Sequence, residues 1–271
     1  MTPKQQVEDR IHAFGGGQIA VGYHDLGTGN SWLINGEATF HAASTMKVCV
    51  LMELFHQAEQ GLLKLNDQIT ILNEFDSIVD GSSYRLNPEG DSEQGLYQRI
   101  GEREALIQLA KPMITCSSNL ATNLLVEQLG AKRITQFMHE LGATDMIIRR
   151  GVEDGKAFQM GLNNEVTASG FLTILVKLAK EQVVSARASR AMIEILFGQT
   201  HRNCIPAKLP ADAYVANKTG WNDLMCHDVA IVYPPSGQDY VLTVFTKGIE
   251  ELTIAPALIA DISEILYQQH A

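Results

Sequence analysis

A hydroxyl at Ser44 and an amine at Lys47 stand three residues apart in the stretch HAASTMKVCV, which otherwise reads as the opening of an apolar helix. Residues three apart share a helix face, so the amine is expected to reach back toward the hydroxyl while Leu51 and Leu54 carry that face inward. Withdrawing an ammonium from water lowers its pKa. A neutral amine beside a serine can then take the hydroxyl proton and make the oxygen a nucleophile. A backbone N–H at the start of the helix favours negative charge developing on an attacked carbonyl. The chemistry on offer is acyl transfer through a covalent serine intermediate. The plainer alternative is a lysine snorkelling from a core helix, and S-x-x-K spacing arises by chance in roughly half of such chains.

Two further stretches add weight. CSSNLATNLL supplies Ser117-Ser118-Asn119 at the start of a helix, where Ser117 or Ser118 also suits an N-cap. NKTGW supplies Lys218-Thr219-Gly220 at the end of a strand. All three together arise by chance on the order of once in a hundred chains, before their order and structural context are required.

The elements that must position these groups are strands at both ends of the chain with helices between. Val7, Ile11 and Phe14 fall at helical spacing, and QIAVGYHD and NSWLIN flank a glycine turn as a hairpin. EALIQLAKPM, NLATNLLVEQLG, RITQFMHELG and GFLTILVKLAK each place apolar residues three or four apart, and two of them stop at a glycine suited to a C-cap. DAYVANKTG, HDVAIVYPP and YVLTVFTKG read as strands, followed by a helix with Leu258, Ile262, Ile265 and Leu266 on one face. The fold class expected is α+β. Strands from the two ends share one antiparallel sheet flanked by the terminal helices, packed on an all-α lobe. Residues 1–271 form a single domain, with 1–64 plus 201–271 as the sheet lobe and 65–200 as the helical lobe.

Composition sets limits on partners. The chain has 271 residues, 45% of them apolar, enough for a sizeable core. A formal charge of −10 and a pI near 5.2 argue against nucleic acid or an anionic membrane as the main partner. No run approaches the roughly twenty apolar residues of a membrane span, and MTPKQQVEDRIHAF lacks a basic start followed by an apolar stretch. The chain as given shows no leader, which points to the cytoplasm, or to the periplasm or secretion if a leader was removed. Cys49, Cys116, Cys204 and Cys226 lack metal or redox spacing and read as free and buried. A small-molecule substrate, no metal or other cofactor, and a monomer are expected.

The three motifs, in this order and with Phe40 four residues before the serine, make the chain resemble class A β-lactamases and related penicillin-recognising serine hydrolases. The resemblance covers nearly the whole chain. It implies that Ser44 attacks a lactam carbonyl, with its own N–H and that of Trp221 as the oxyanion pair. Lys47 would be the base, alone or with a carboxylate acting through water, and Ser117 would relay the proton to the leaving nitrogen. Asn119 would hold the substrate amide and orient Lys47, Lys218 and Thr219 would meet a substrate carboxylate, and the Gly220 strand edge would pair with the substrate backbone.

Hydrolysis of the acyl-enzyme needs a second base, and RRGVEDGKAFQMGLNNEVTA lies where the family carries its omega loop. Arg150 and Glu165 would clamp this loop. Counting from Arg150 brings Glu153 near the base position at an offset of three rather than the family's two, whereas counting from Leu162-Asn163 brings Gln159. Glu153 is favoured because a carboxylate can act as general base and an amide cannot; otherwise it is a solvated acid in a glycine-rich loop. Four departures stand out. Ser118 replaces the family's Asp, and Trp221-Asn222 replaces small residues. Residues 73–100 are surplus and suggest a lid with Tyr84 over the site. His227 falls where many members offer an Arg to the carboxylate, although a structural histidine fits the strand end equally well. β-Lactam hydrolysis leads. A peptidase, transpeptidase or esterase that deacylates slowly, or a non-catalytic binding module, stays open.

Overall fold

The computed structural model describes residues 1–222, 224–235, 237–249 and 254–270. Strands β1 (Gln18–Asp25), β2 (Ser31–Ile34), β3 (Tyr214–Asn222), β4 (Met225–Tyr233) and β5 (Tyr240–Lys247) form one antiparallel sheet in the order β2-β1-β5-β4-β3. The two chain ends meet along β1 and β5, with Gln18 opposite Lys247 and Asp25 opposite Tyr240. Strand β3, which carries Lys218-Thr219-Gly220, is therefore an edge.

Successive strand residues point to opposite faces, and both faces of β4 are covered. Ala230 and Val232 join Val7 of helix α1 (Pro3–Phe14) and Leu258 and Ile262 of the C-terminal helix (Ile254–Tyr267) in one apolar cluster. Val229 and Ile231 join the second, larger cluster, built on the helices between the strands. This is the α+β architecture expected.

Helix α2 (Met46–Glu59) runs through the middle of that larger cluster, and every residue from Met46 to Phe55 is buried. A helix apolar all round has no solvent face, so Lys47 is buried by the position of its helix. Each fully buried apolar side chain such as Leu51 or Leu54 contributes about 1.5–3 kcal/mol. Around α2 pack α3 (Leu106–Thr115), α4 (Asn119–Leu129) and α5 (Ala131–Glu140), and Gly130 ends α4 at φ +85°. A short α6 (Gly155–Gln159) interrupts the loop before α7 (Ala168–Ala179). Helix α8 (Ala186–Phe197) is not among the helices expected, although its buried Ala188, Met192, Ile193 and Leu196 carry the helical period. Among the described residues no helix is long and apolar enough to cross a membrane. All four cysteines are free, and Cys116 is half-buried rather than fully buried.

Candidate active site

Ser44 does not begin the α-helix as expected. It lies in a 3-10 turn, Ala43–Thr45, just before α2, and Ala43 takes φ +44° to make that turn. Side-chain and backbone bonds hold the turn in place: Ala43 N donates to His41 Nδ1 at 2.9 Å and Ala42 N to Asn164 O at 2.8 Å. Across from it runs the edge strand. A Cβ at Gly220 would lie 2.8 Å from Ser44 N and 2.9 Å from Thr45 N, so only glycine lets the strand approach the serine amide this closely.

The corner between α3 and α4 brings in Ser117, which adopts φ +66°. Non-glycine residues held there cost about 1–3 kcal/mol each, and Ala43, Ser117 and Glu153 all carry that strain at one place. The result is a cluster of two buried amines around one hydroxyl. Lys47 Nζ donates to Ser117 O at 2.7 Å, Ser117 Oγ at 3.1 Å and Asn119 Oδ1 at 2.8 Å. Lys218 Nζ donates to the same Ser117 Oγ at 3.1 Å and to Thr219 O at 2.8 Å.

Burial pushes Lys47 down to about 7, against the opposing pull of Asp91 and Glu153. Lys218 is lowered well below the ordinary lysine value by burial and by Lys47. Neutral and charged forms of Lys47 are therefore both accessible near neutrality. The expected Lys47-to-Ser44 contact is not made among the described residues, because the three hydrogen bonds of Lys47 go to Ser117 and Asn119. Ser44 lies in the 3-10 turn that precedes α2 and not on the α-helix that carries Lys47.

Glu153 enters from the opposite side. Its Oε1 accepts from Asn119 Nδ2 at 2.6 Å, and the other end of that amide, Oδ1, accepts from Lys47. The side chain is exposed, at the mouth of a cleft of about 570 Å³ that is also lined by Ser44, Asn119, Val152, Phe158 and Trp221. Gln159 sits exposed at the end of α6 and does not line this cleft.

The loop presenting Glu153 is held mainly by amides and carbonyls. Arg150 donates to Leu162 O at 3.1 Å, Gly151 O at 3.0 Å and Asn163 Oδ1 at 3.0 Å, while Asn164 Oδ1 accepts the N–H groups of Arg149 and Arg150. The expected Arg150–Glu165 clamp is thus replaced, and Glu165 pairs at 3.4 Å with Arg149 instead.

Other expectations are corrected. His227 is fully buried between Phe40 and Phe245; its Nδ1 accepts Thr246 N–H at 3.2 Å and its Nε2 faces His41 O at 3.0 Å. Burial pushes it down to about 4, so it is a neutral structural ring with no access to an anion. Thr219 is fully buried, does not line the cleft, and its Oγ1 lacks a hydrogen-bond partner among the described residues. Trp221 is half exposed on the rim and packs against His201. Tyr84 is no lid: its hydroxyl donates to Val152 O at 3.3 Å and accepts from Asn123 Nδ2 at 3.2 Å, propping the loop from behind.

The site also holds a residue outside the three motifs. Asp91, from the surplus segment, accepts the N–H groups of Asn119 at 2.9 Å and Leu120 at 2.8 Å, directly at the site. No linear spacing pointed to it.

A family model described as the Beta-lactamase enzyme family matches residues 2–270. The chain belongs to this family. A β-lactamase of Rhodobacter capsulatus is 24% identical over 253 residues, covering 90% of this chain and 81% of that one. The β-lactamase SME-1 of Serratia marcescens is 24% identical over 239 residues, covering 85% and 76%. Among solved structures, PBP-A superposes with a TM-score of 0.84 at 24% identity, covering 98% of this chain and 95% of that one. A variant of PBP-A, solved as its acyl-enzyme with penicillin G, gives 0.83 at 25% over the same shares. A β-lactamase from Sphaerobacter thermophilus gives 0.84 at 23%, covering 98% and 97%. The β-lactamase fold is thus shared over essentially the whole chain.

Proposed function

We propose that the protein is a class A-type serine β-lactamase that opens the lactam ring through a Ser44 acyl-enzyme. The observation that carries this reading is Ser117 Oγ, held 3.1 Å from both buried lysine amines. A hydroxyl bridging two amines of lowered pKa can pass a proton either way, which acyl transfer to a nitrogen leaving group needs twice. Lys47, neutral in part near pH 7, takes the Ser44 proton when Ser44 Oγ closes on it in the substrate complex, while its bond to Ser117 Oγ is kept; such bonds commonly tighten only in the complex. The N–H groups of Ser44 and Trp221 receive the oxyanion, beside the space that Gly220 leaves. Ser117 gives its hydroxyl proton to the departing nitrogen and is reprotonated by the Lys47 ammonium across their 3.1 Å contact, which returns Lys47 to the neutral amine. Asn119 orients Lys47 and the substrate amide, while Lys218, fully buried with its amine on Ser117 Oγ, acts through that hydroxyl rather than on the substrate carboxylate. Glu153 activates the water that releases the product.

Steady turnover of a chromogenic cephalosporin, abolished in Ser44→Ala, is the expected result; an inert wild-type protein ends the proposal. A second reading rests on Glu153, which is exposed and reaches Lys47 only through Asn119. With water poorly activated, the enzyme would be a peptidase, transpeptidase or esterase that holds penicillin as a lasting adduct, as the solved PBP-A variant holds penicillin G. Intact mass measured over time after a penicillin pulse separates the two. Rapid loss of the adduct favours the lactamase, and persistence favours the alternative.

A further inference from the structure

Tyr84 of segment 73–100 does not cover the cleft, but Gly90 and Ser92 line a cavity of about 360 Å³ together with Ser44, Ser117 and Trp221, and between them the segment delivers one buried carboxylate. Asp91 is 4% exposed. Its Oδ2 accepts Asn119 N–H at 2.9 Å, Leu120 N–H at 2.8 Å and the Tyr97 hydroxyl at 2.9 Å, and Ser118 Oγ stands 3.4 Å away. Its Oδ1 accepts Glu93 N–H at 3.0 Å. Resting on the acylation reading above, we propose that Asp91 is a positioning residue. It fixes the Ser117–Asn119 corner and supplies the buried negative charge that balances Lys47.

Two features of the molecule support this. Ser118 caps α4 by accepting Ala121 N–H at 3.2 Å but brings no charge, so the first N–H groups of that helix and its dipole are met by a carboxylate from elsewhere in the chain. Charge-assisted bonds of this kind are about twice as strong as neutral ones. The second feature is what the corner holds. Asn119, whose N–H is tied to Asp91, turns its Oδ1 to Lys47 and its Nδ2 to Glu153. Moving Asp91 therefore moves both the base and its link to the loop acid.

The ionisable groups acting on Lys47 are Asp91, Glu153, Cys116 and His201, with Lys218 across Ser117; those around Asp91 are Tyr97, Glu93, Cys116 and Lys47. Glu153 is exposed and screened by water, whereas Asp91 is buried and screened far less. Removing the charge of Asp91 while keeping its shape should make the ammonium of Lys47 harder to form. The acid limb of acylation then moves to lower pH.

The test is an NMR titration of ε-carbon-labelled lysines in the full-length protein, with Lys47 assigned by comparison with Lys47→Arg. In Asp91→Asn the Lys47 midpoint should fall by about one pH unit. Exchange of the Asn119 amide should accelerate, and Asp91→Asn/Ser118→Asp should bring the midpoint back, because the new carboxylate starts beside the same N–H groups. A Lys47 midpoint unmoved in folded Asp91→Asn overturns the proposal, since a purely structural cap would change melting temperature alone. If Asp91→Asn does not fold, the double variant decides: a wild-type midpoint supports the role and a displaced one overturns it. Penicillin labelling of wild-type Ser44 is scored separately. Its absence would sink the acylation reading while leaving the Lys47 titration intact.

Discussion

The two sides of the cleft are built differently. On one side, Lys47, Lys218 and Ser117 are buried, on or between regular elements, and bonded to one another. On the other, Glu153 is exposed on a loop whose shape depends on side chains bonding backbone groups: Arg150, Asn164 and Asn123 together hold residues 149–163. On the mechanism proposed, making an acyl-enzyme would require a lysine of lowered pKa, which burial in a packed interior supplies. Breaking it requires a carboxylate that meets bulk water, which a surface loop supplies. The difference suggests that variants on the two sides will fail at different steps.

Lys47→Met should have the largest effect. It removes the base and leaves Asn119 Oδ1 without its donor, so acylation should fall by about 10²–10⁴-fold in a stopped-flow assay. In the wild type the acylation rate should rise with pH through about 7, because burial holds Lys47 there and the neutral amine is the active form. A profile flat from acid to neutral pH would mean that the lysine is not the base, and the contrast between the two sides would lose its chemical basis. Glu153→Gln comes next. Acylation should stay within a few-fold of wild type while turnover falls by about 10²-fold or more, leaving an adduct visible by mass spectrometry. Unchanged turnover would take Glu153 out of the mechanism.

The same contrast explains what could be read from the chain. The residues of the buried side were legible as short motifs at or next to regular elements, Ser44 and Lys47, Ser117 and Asn119, Lys218 and Gly220, but their pairing was not: Lys47 meets Ser117 and Asn119, because Ser44 lies in the turn before α2. The sheet was legible because its strands carry continuous apolar runs, which both-sided burial demands. The loop side was not, since its register depends on which of several amides and carbonyls pair across space. Glu165 was assigned to Arg150, yet it pairs with the neighbouring Arg149. Asp91 was invisible for a related reason, lying far along the chain from the helix start it serves. His227 shows the limit at a strand: position relative to a motif placed it near the site, while the packing of Phe40 and Phe245 closed it off.

The smallest effect should come from Tyr84, and it is the most discriminating. Its hydroxyl bonds Val152 O and Asn123 Nδ2 behind the loop, and it touches neither Ser117 nor either lysine. Tyr84→Phe removes those bonds without changing the ring, at a cost of about 0.5–1.5 kcal/mol spread over the loop. Such a loosening should displace Glu153 more often without disturbing the lysines. Deacylation should therefore slow by a few-fold while the acylation rate and its pH profile stay put. If both steps slow together, the loop and the buried cluster form one mechanical unit and the division between the two sides does not hold. If only the second slows, the loop can be tuned alone, and adduct lifetime can be adjusted from behind the site without touching a group that meets the substrate.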